Sequence, residues 1–401
     1  MTPEGHGKPI AVVVGAHPFP HGNASANRML GLALALKATG RDAVVLNDDP
    51  RLEVHGEPVT DSVSGVKYTN LGGKTDTRLH RWSRRRTFGQ RIAQLLASGV
   101  DVGRVDSIVI PSFFYTWRTR RALAHCVPNA TLIVDVVERH DPSQFRLRWF
   151  APYFIRHRLT SWYATLGQAR IIVISTSLAR GPFRRHRPHV VPPIVDPDEF
   201  TAVAQEPRPL EGPVTITYFG SPGAKDDLSG IVAAASLLSD TERAKCAIVI
   251  AGITREQLAA LPGVSNASLT KAGRVVEARG SLDRSELRAL LASSHFTYLM
   301  RDPDAGFARY GFPTKIAESL AAGCPPITNI TSDLGSYLRD GVNALVCADQ
   351  TDEAIAASLR RAIAAVEADD QVRMATAARE LAEASFSPLA LGRDLGRWLA
   401  T

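Results

Sequence analysis

Short apolar runs of strand length alternate with longer helical runs along almost the whole chain, and the alternation starts again past the midpoint. In the first half the strand candidates are Ile10–Val14, Ala43–Leu46, Ser107–Ile110, Thr131–Val137, Ile171–Ser175 and His189–Val191, with helical runs at Ala26–Thr39 and Arg86–Ala97. Continuous apolar strands separated by helices are what a parallel sheet covered on both faces requires. Pro192 to Phe200 and the proline-bearing stretch on to Pro213 read as a linker. The second half restarts with Val214–Phe219, a helix through Leu238, and further strands at Cys246–Ala251, Val275–Gly280, Thr297–Met300 and Ile327–Ile330. One long helical stretch is expected from about Asp352 to Glu383, with Thr351 as its N-cap, and a separate amphipathic helix at Leu389–Leu399. The pattern predicts an α/β protein of two doubly wound, Rossmann-like parallel-sheet domains, at 1–200 and 201–385.

The 401 residues are enough for two substantial cores. No apolar run reaches the roughly 18 residues of a membrane-spanning helix, and Met1 to Lys8 lacks the pattern of a signal peptide. Cys126, Cys246, Cys324 and Cys347 are far apart and form no Cys-x-x-Cys, so reduced thiols in a cytoplasm are expected rather than disulfides or zinc. The net charge of +7 is uneven: residues 1–200 carry 27 Lys and Arg against 16 Asp and Glu, while the remainder carries 20 against 24. The arginines cluster at Arg78 to Arg91, at Arg118, Arg120 and Arg121, at Arg146 to Arg158, and at Arg180 to Arg187. Trp82, Phe88, Trp117, Trp149, Phe150, Tyr153, Phe154, Trp162 and Tyr163 lie among them. A solvated basic face and a surface for anionic lipid headgroups both fit this pattern. No nucleic-acid motif accompanies the charge.

The most specific stretch is Gly311-Phe312-Pro313-Thr314-Lys315-Ile316-Ala317-Glu318-Ser319-Leu320-Ala321-Ala322-Gly323. It reads as the start of an anion-binding helix. Pro313 suits the first helical position, Gly311 permits close backbone approach to a ligand, and the first-turn N–H groups with the helix dipole favour a phosphate. Lys315 adds a positive charge. Glu318 points away from the Ile316–Leu320 stripe, and its carboxylate can accept two hydrogen bonds from a vicinal diol such as a ribose. Gly323 with Pro325-Pro326 ends the helix. An ordinary capped surface helix with a Lys–Glu pair fits the same residues.

This segment resembles the donor-site signature of retaining GT-B glycosyltransferases, in particular glycosyltransferase family 4. Glu318 matches the second glutamate of the family's acidic pair, and Ala321-Ala322-Gly323-Cys324-Pro325-Pro326-Ile327 matches its Ala-x-Gly-x-Pro-Val-Ile tail. The first glutamate would fall on position 310, where this chain has Tyr310. Asp340-Gly341-Val342-Asn343-Ala344-Leu345-Val346 is similar to the family's Asp-Gly-x-Asn-Gly-x-Leu-Val, so the resemblance spans roughly residues 210 to 350. Gly220-Ser221-Pro222-Gly223-Ala224-Lys225 is similar to a Gly-Arg-x-x-x-x-Lys loop. Lys225 stands one residue short of the family spacing, and Ser221 stands in place of the arginine. Arg301, after the Thr297–Met300 strand, could supply the missing charge or pair with Asp302 or Asp304.

The loop from His17 to Ser25 corresponds to a glycine-rich loop that approaches the donor phosphates, with Gly22 its only glycine; Ser25 could equally be an N-cap. Glu138 and His140 follow the strand Thr131–Val137, at the end where such sheets bind ligands. His140 is the nearest match to a family histidine that contacts the transferred sugar, and an acidic residue beside a titratable His suits an acceptor-activating base. A salt cluster with Arg139 is the plainer alternative. Gly73-Lys74-Thr75 imitates the end of a P-loop, but the full motif needs a glycine where Tyr68 stands. No Gly-x-Ser-x-Gly and no metal-ligand cluster is present.

The resemblance implies a GT-B architecture whose two domains face a central cleft, with the helix at about 386–401 crossing back to the first domain. It implies transfer of a sugar from a nucleotide-diphosphate donor to an acceptor hydroxyl with retention. Gly220, Lys225, Arg301, Gly311, Phe312, Pro313, Thr314 and Lys315 would hold the diphosphate, Glu318 the ribose, and His140 with Glu138 the sugar and acceptor, without a metal or other cofactor. The basic first half suggests a lipid-linked or anionic acceptor and a cytoplasmic protein peripheral to the inner membrane face; a glycan or cell-envelope precursor is the acceptor class expected. Two alternatives keep the fold: a non-catalytic sugar-nucleotide or glycan-binding subunit, and a nucleotide-sugar epimerase.

Overall fold

A computed structural model describes residues 7–20, 23–49, 58–72, 78–112, 116–142, 147–166, 169–200, 212–220 and 225–401. Gly22, Ser221, the Gly73–Thr75 motif and the linker at 201–211 lie outside these, as do the side chains of Trp82 and Tyr163. The chain divides into two compact units, Met1–Ile194 with Ser387–Thr401, and Val195–Phe386.

The first unit is built on one sheet. Its strands are β1 (Ile10–Gly15), β2 (Asp42–Asn47), β3 (Val59–Val63), β4 (Val66–Asn70), β5 (Val105–Pro111), β6 (Thr131–Val136), β7 (Arg170–Val173) and β8 (His189–Val190). Their order is β3-β4-β2-β1-β5-β6-β7-β8, parallel except for the β3–β4 hairpin. That hairpin is absent from the sequence expectation, because β3 is exposed and polar and offers no apolar signal. Ser64 and Gly65, both at positive φ, turn it. The helices are α1 (Ala24–Lys37), α2 (Arg78–Gly99), α3 (Thr116–Cys126), α4 (Pro152–Ala164) and α5 (Thr176–Arg180). Alternation along β1 sorts the core into two layers: Ala11 and Val13 pack with α1, while Ile10, Val12 and Val14 pack with α2. Asn23, not Ser25, is the N-cap of α1, accepting from Ala26 N–H at 3.0 Å.

Some of the clustered arginines and aromatics are structural. Arg84 and Arg91 pair with the buried Asp48, and Arg120, Phe88 and Phe154 are buried. Arg28 grips Asp135 at the end of β6 through two bonds of 2.9 and 3.1 Å and donates to the carbonyls of Val191 and Pro192.

The second unit holds β9 (Val214–Phe219), α6 (Leu228–Ser236), α7 (Asp240–Ala244), β10 (Cys246–Ala251), α8 (Arg255–Ala259), α9 (Asn266–Ala272), β11 (Val276–Gly280), α10 (Arg284–Ala292), β12 (Phe296–Leu299), α11 (Gly306–Tyr310), α12 (Thr314–Ala321), β13 (Pro326–Thr328), β14 (Leu345–Val346), α13 (Asp352–Glu367) and α14 (Asp370–Phe386). All its strands are parallel, in the order β11-β10-β9-β12-β13-β14. The chain winds outward from β9 and then reverses to β12, so the switch point lies between these two strands. Open α/β sheets bind ligands at such a point. The long helix expected from Asp352 to Glu383 is two helices, because Asp369 takes a left-handed φ of 58° that no helix continues through. Thr351 does cap the first of them.

The last helix, α15 (Pro388–Leu399), packs on α1 and belongs to the first unit. Arg170, at the start of β7, stacks over Trp398 at 3.9 Å and donates to the carbonyls of Trp398 and Leu399, a cation at a helix C-terminus. Cys246, Cys324 and Cys347 are buried free thiols, and Cys126 is a partly buried one. Among the described residues no helix is long and apolar enough to cross a membrane.

Candidate functional site

In the second unit the loops after β9 and β12 meet α12 at the switch point. Asp226 sits at their centre with its side chain 5% exposed. Its Oδ1 accepts from Arg301 Nε at 2.8 Å, and its Oδ2 accepts from Lys315 Nζ at 2.5 Å and from Tyr218 OH at 2.9 Å. Lys315 also donates to Tyr218 OH at 2.8 Å. Arg301 is fixed through its backbone: its N–H donates to Asn329 Oδ1, and Asn329 Nδ2 donates to its carbonyl. Burial would raise the Asp226 pKa, but Arg301 and Lys315 outweigh it and hold the carboxyl below its usual range. Burial lowers the pKa of Lys315, with Arg301 adding to the effect and Asp226 opposing it. Two cations share one carboxylate, so the cluster keeps a net positive charge in a half-sealed setting.

Two glycines make this approach possible. Gly220 follows β9 at φ +117°, and a Cβ there would lie 2.5 Å from Lys315 Cε. Gly252 follows β10 at φ +106°, and its Cβ would lie 2.0 Å from the Gly220 carbonyl oxygen.

The α12 segment departs from expectation in detail. Pro313 is the N-cap, not the first helical residue, and supplies no side-chain acceptor to the first turn. Gly311 is needed by the protein itself: a Cβ would come within 2.5 Å of the Phe307 carbonyl. Phe312 is buried edge-on against Tyr337 and Phe386, each at 5.6 Å. Thr314 opens the helix and is half-buried. The far end closes as a Schellman motif, with Cys324 N–H on the Ser319 carbonyl and Gly323 N–H on that of Leu320, both at 2.9 Å.

Glu318 is half-buried on α12, and its charge acts on both Lys315 and Arg284. Arg284, at the start of α10, is ion-paired with Glu199. Burial alone would lower its pKa, but the hydrogen bond to Glu199 and the charges of Glu199 and Glu318 raise it. Sequence reasoning missed Arg284 and Asp226. Arg284 meets Glu199 from 85 residues away, with no local signal; Asp226 was legible only as the neighbour of Lys225. Lys225 itself is exposed, its Nζ 5.7 Å from the Phe307 ring centroid. Arg301 pairs with Asp226 and not with Asp302 or Asp304.

In the first unit, His140 and Glu138 come together after β6, with Nε2 to Oε2 at 3.7 Å. Tyr153 OH lies 3.4 Å from His140 Nε2, and the His157 ring meets the His140 ring edge-on at 4.6 Å. Tyr153 and His157 share α4 at i, i+4 spacing, the one sequence signal that could have joined them. Burial, with the charge of His140 next, pushes the His157 pKa down to about 4. Among the described residues its buried Nε2 has no hydrogen-bond partner. After β1, an asparagine chain holds the loop: Asn47 donates to the His17 carbonyl and to Asn70, and Asn70 donates to the Phe19 carbonyl. Gly22 lies outside the described part of that loop. Among the described residues no group of His, Cys, Asp and Glu could hold a metal ion.

Residues 213–365 match the family described as Glycosyl transferases group 1. Sucrose-phosphate synthase from Thermosynechococcus elongatus superposes with a TM-score of 0.68 at 16% identity, covering 98% of both chains. The HepE protein of Anabaena in complex with UDP and glucose gives 0.67 at 12% identity, covering 98% of this chain and 100% of that one. An α,α-trehalose-phosphate synthase (UDP-forming) from Burkholderia xenovorans in complex with glucose-6-phosphate gives 0.65 at 14%, covering 98% and 100%. No curated protein matches the sequence. These likenesses carry the fold, and the family match covers most of the second unit. Residues 213–365 match a group 1 glycosyltransferase domain, and the chain as a whole has the GT-B fold.

Proposed function

We propose that this protein is a glycosyltransferase that moves a sugar from a nucleotide-diphosphate donor to an acceptor hydroxyl with retention of configuration, and that the donor binds at the β9–β12 switch point. The observation that carries this is the Arg301–Asp226–Lys315 cluster, two half-buried cations sharing one carboxylate at the ligand-binding end of a parallel sheet. A departing diphosphate gains negative charge as the glycosidic bond breaks, and preorganised positive charge there stabilises the transition state. Gly220, Lys225 and the Gly311–Thr314 backbone complete the phosphate-facing wall. Glu318 accepts from the ribose hydroxyls. In the first unit, His140 and Glu138 border the acceptor and the transferred sugar. No metal or cofactor is needed in this reading, because side chains supply the positive charge. The acceptor is a glycan or lipid-linked cell-envelope precursor, and the protein works in the cytoplasm at the inner membrane face.

One observation favours a second reading. Tyr310, the half-buried last residue of α11, stands where a sugar-contacting carboxylate is expected. A chain that binds donor without transferring it would be a sugar-nucleotide-binding subunit.

The test is incubation of the full chain with a panel of nucleotide sugars, following nucleoside diphosphate release, together with nucleotide affinity. Glu318→Ala should weaken nucleoside diphosphate binding about 10–100-fold, the value of losing hydrogen bonds to a charged acceptor. Unchanged affinity in that variant removes the ribose assignment. Tight binding by the parent with no turnover across the panel favours the binding subunit.

A further inference from the structure

The helix that seats His140 also carries the most apolar part of the described surface. Among the described residues sixteen large hydrophobic side chains are exposed, and seven of them fall within residues 147–162. On α4, Ile155, Leu159 and Trp162 are 46%, 38% and 55% exposed. Their i, i+4, i+7 spacing puts them in one outward line. The inward side of the same helix is taken by the buried Phe154 and Thr160 and by the partly buried His157. The turn before α4 continues the outward line with Leu147, Trp149 and Phe150, the last 83% exposed. Trp149 meets Phe154 edge-on at 5.4 Å, which ties that turn to the helix. Amphipathic helices ordinarily turn such a stripe toward the core.

Charge identifies what fits this face. Residues 142–195 contain nine arginines and no lysine, aspartate or glutamate. Arg156 and Arg158 are exposed beside the apolar line, and α3, which packs on α4, adds exposed Arg118 and Arg121. A second copy of the chain would bring these arginines against their own equivalents in an isologous contact, with no acidic residue in the segment to meet them. A nucleic acid would leave the apolar line unmatched. An anionic bilayer satisfies both halves, with rings and aliphatic side chains at the acyl boundary and arginines among the headgroups.

We propose that the outward face of α4 and the turn before it docks this protein on an anionic lipid surface, and that α4 thereby presents a lipid-linked acceptor to His140. Tyr153 and His157 make the link, since both project from α4 onto the His140 ring. The docking half stands on the face alone; the acceptor half rests on the transfer reading above.

The test is co-sedimentation of the full chain with vesicles of phosphatidylcholine, alone or mixed equally with phosphatidylglycerol. The parent should pellet with the anionic vesicles, less so as salt is raised, and weakly with the neutral ones. Phe150→Asp with Ile155→Asp should lower partitioning about tenfold or more. Arg156→Gln with Arg158→Gln should lower it about fivefold per charge on anionic vesicles only. These side chains are exposed, so the melting temperature and the thermal shift with nucleoside diphosphate should match the parent. A parent that ignores anionic vesicles overturns the proposal. So do variants that still partition like the parent, or Asp variants whose only effect is to split a dimer in sedimentation. Docking without sugar transfer would leave the surface standing and remove the acceptor half, whereas transfer without docking would overturn the proposal and leave the transfer reading intact.

Discussion

Asp226→Asn isolates what holds the β9–β12 switch point together. The carboxylate is nearly sealed from solvent and accepts from Arg301, Lys315 and Tyr218. An amide in its place keeps one acceptor oxygen, turns an N–H₂ group toward a cation, and leaves two positive charges 13% and 17% exposed without compensation. Removing one partner of a buried ion pair costs about 3–5 kcal/mol. Both cations keep some contact with water, so the lower end, about 3 kcal/mol, is expected. For a unit of this size each kcal/mol moves the melting midpoint by about 2–4 °C, which makes the shift roughly 6–12 °C. Scanning calorimetry measures it. All five tryptophans, Trp82, Trp117, Trp149, Trp162 and Trp398, lie in the first unit, so the tryptophan-reported transition should move less than the calorimetric one. Adding Lys315→Met removes one of the stranded charges and should recover at least about 1 kcal/mol relative to additivity, the signature of residues in one network. An Asp226→Asn protein that melts with the parent, or strict additivity with Lys315→Met, would refute the idea that this carboxylate neutralises the pair.

Gly252→Ala would force a Cβ to within 2.0 Å of the Gly220 oxygen at a positive φ; left-handed strain and overpacking together should cost about 2–4 kcal/mol in urea unfolding. His157 takes its proton near pH 4 when folded, against 6.5 when free. The unfolded chain therefore holds the extra proton between those values, so stability is full above about pH 6.5 and falls as pH drops toward 4, by roughly 3 kcal/mol in all. His157→Gln should flatten that slope, and an unchanged slope between pH 4.5 and 7 would show the ring is not buried neutral. If Lys315 and Arg301 supply the charge at the diphosphate as proposed, transfer activity, once a donor is found, should persist in excess EDTA; complete loss restored by a divalent ion would sink that expectation.

The alternation of apolar runs and helices was enough to predict two parallel-sheet halves, because a strand buried on both faces has to be continuously apolar whatever surrounds it. The α12 motif was legible for a similar reason: a helix start and stop are written in adjacent residues. Glu318 and Lys315 could be picked out by spacing, while Arg301 was only a nearby charge of uncertain partner. Tertiary structure decided where the chain winds back, and so brought Asp226, Arg301, Lys315 and Tyr218 to one point from positions up to 97 residues apart. It also gave Gly311 and Phe312 internal duties that look like ligand contacts in a linear reading, and it broke one apparent helix at Asp369. The exposed line on α4 makes the same point. Its spacing is visible in the sequence, but an apolar stripe normally means core, and only the packed fold shows which side Phe154 and His157 claim and which side is left to face outward.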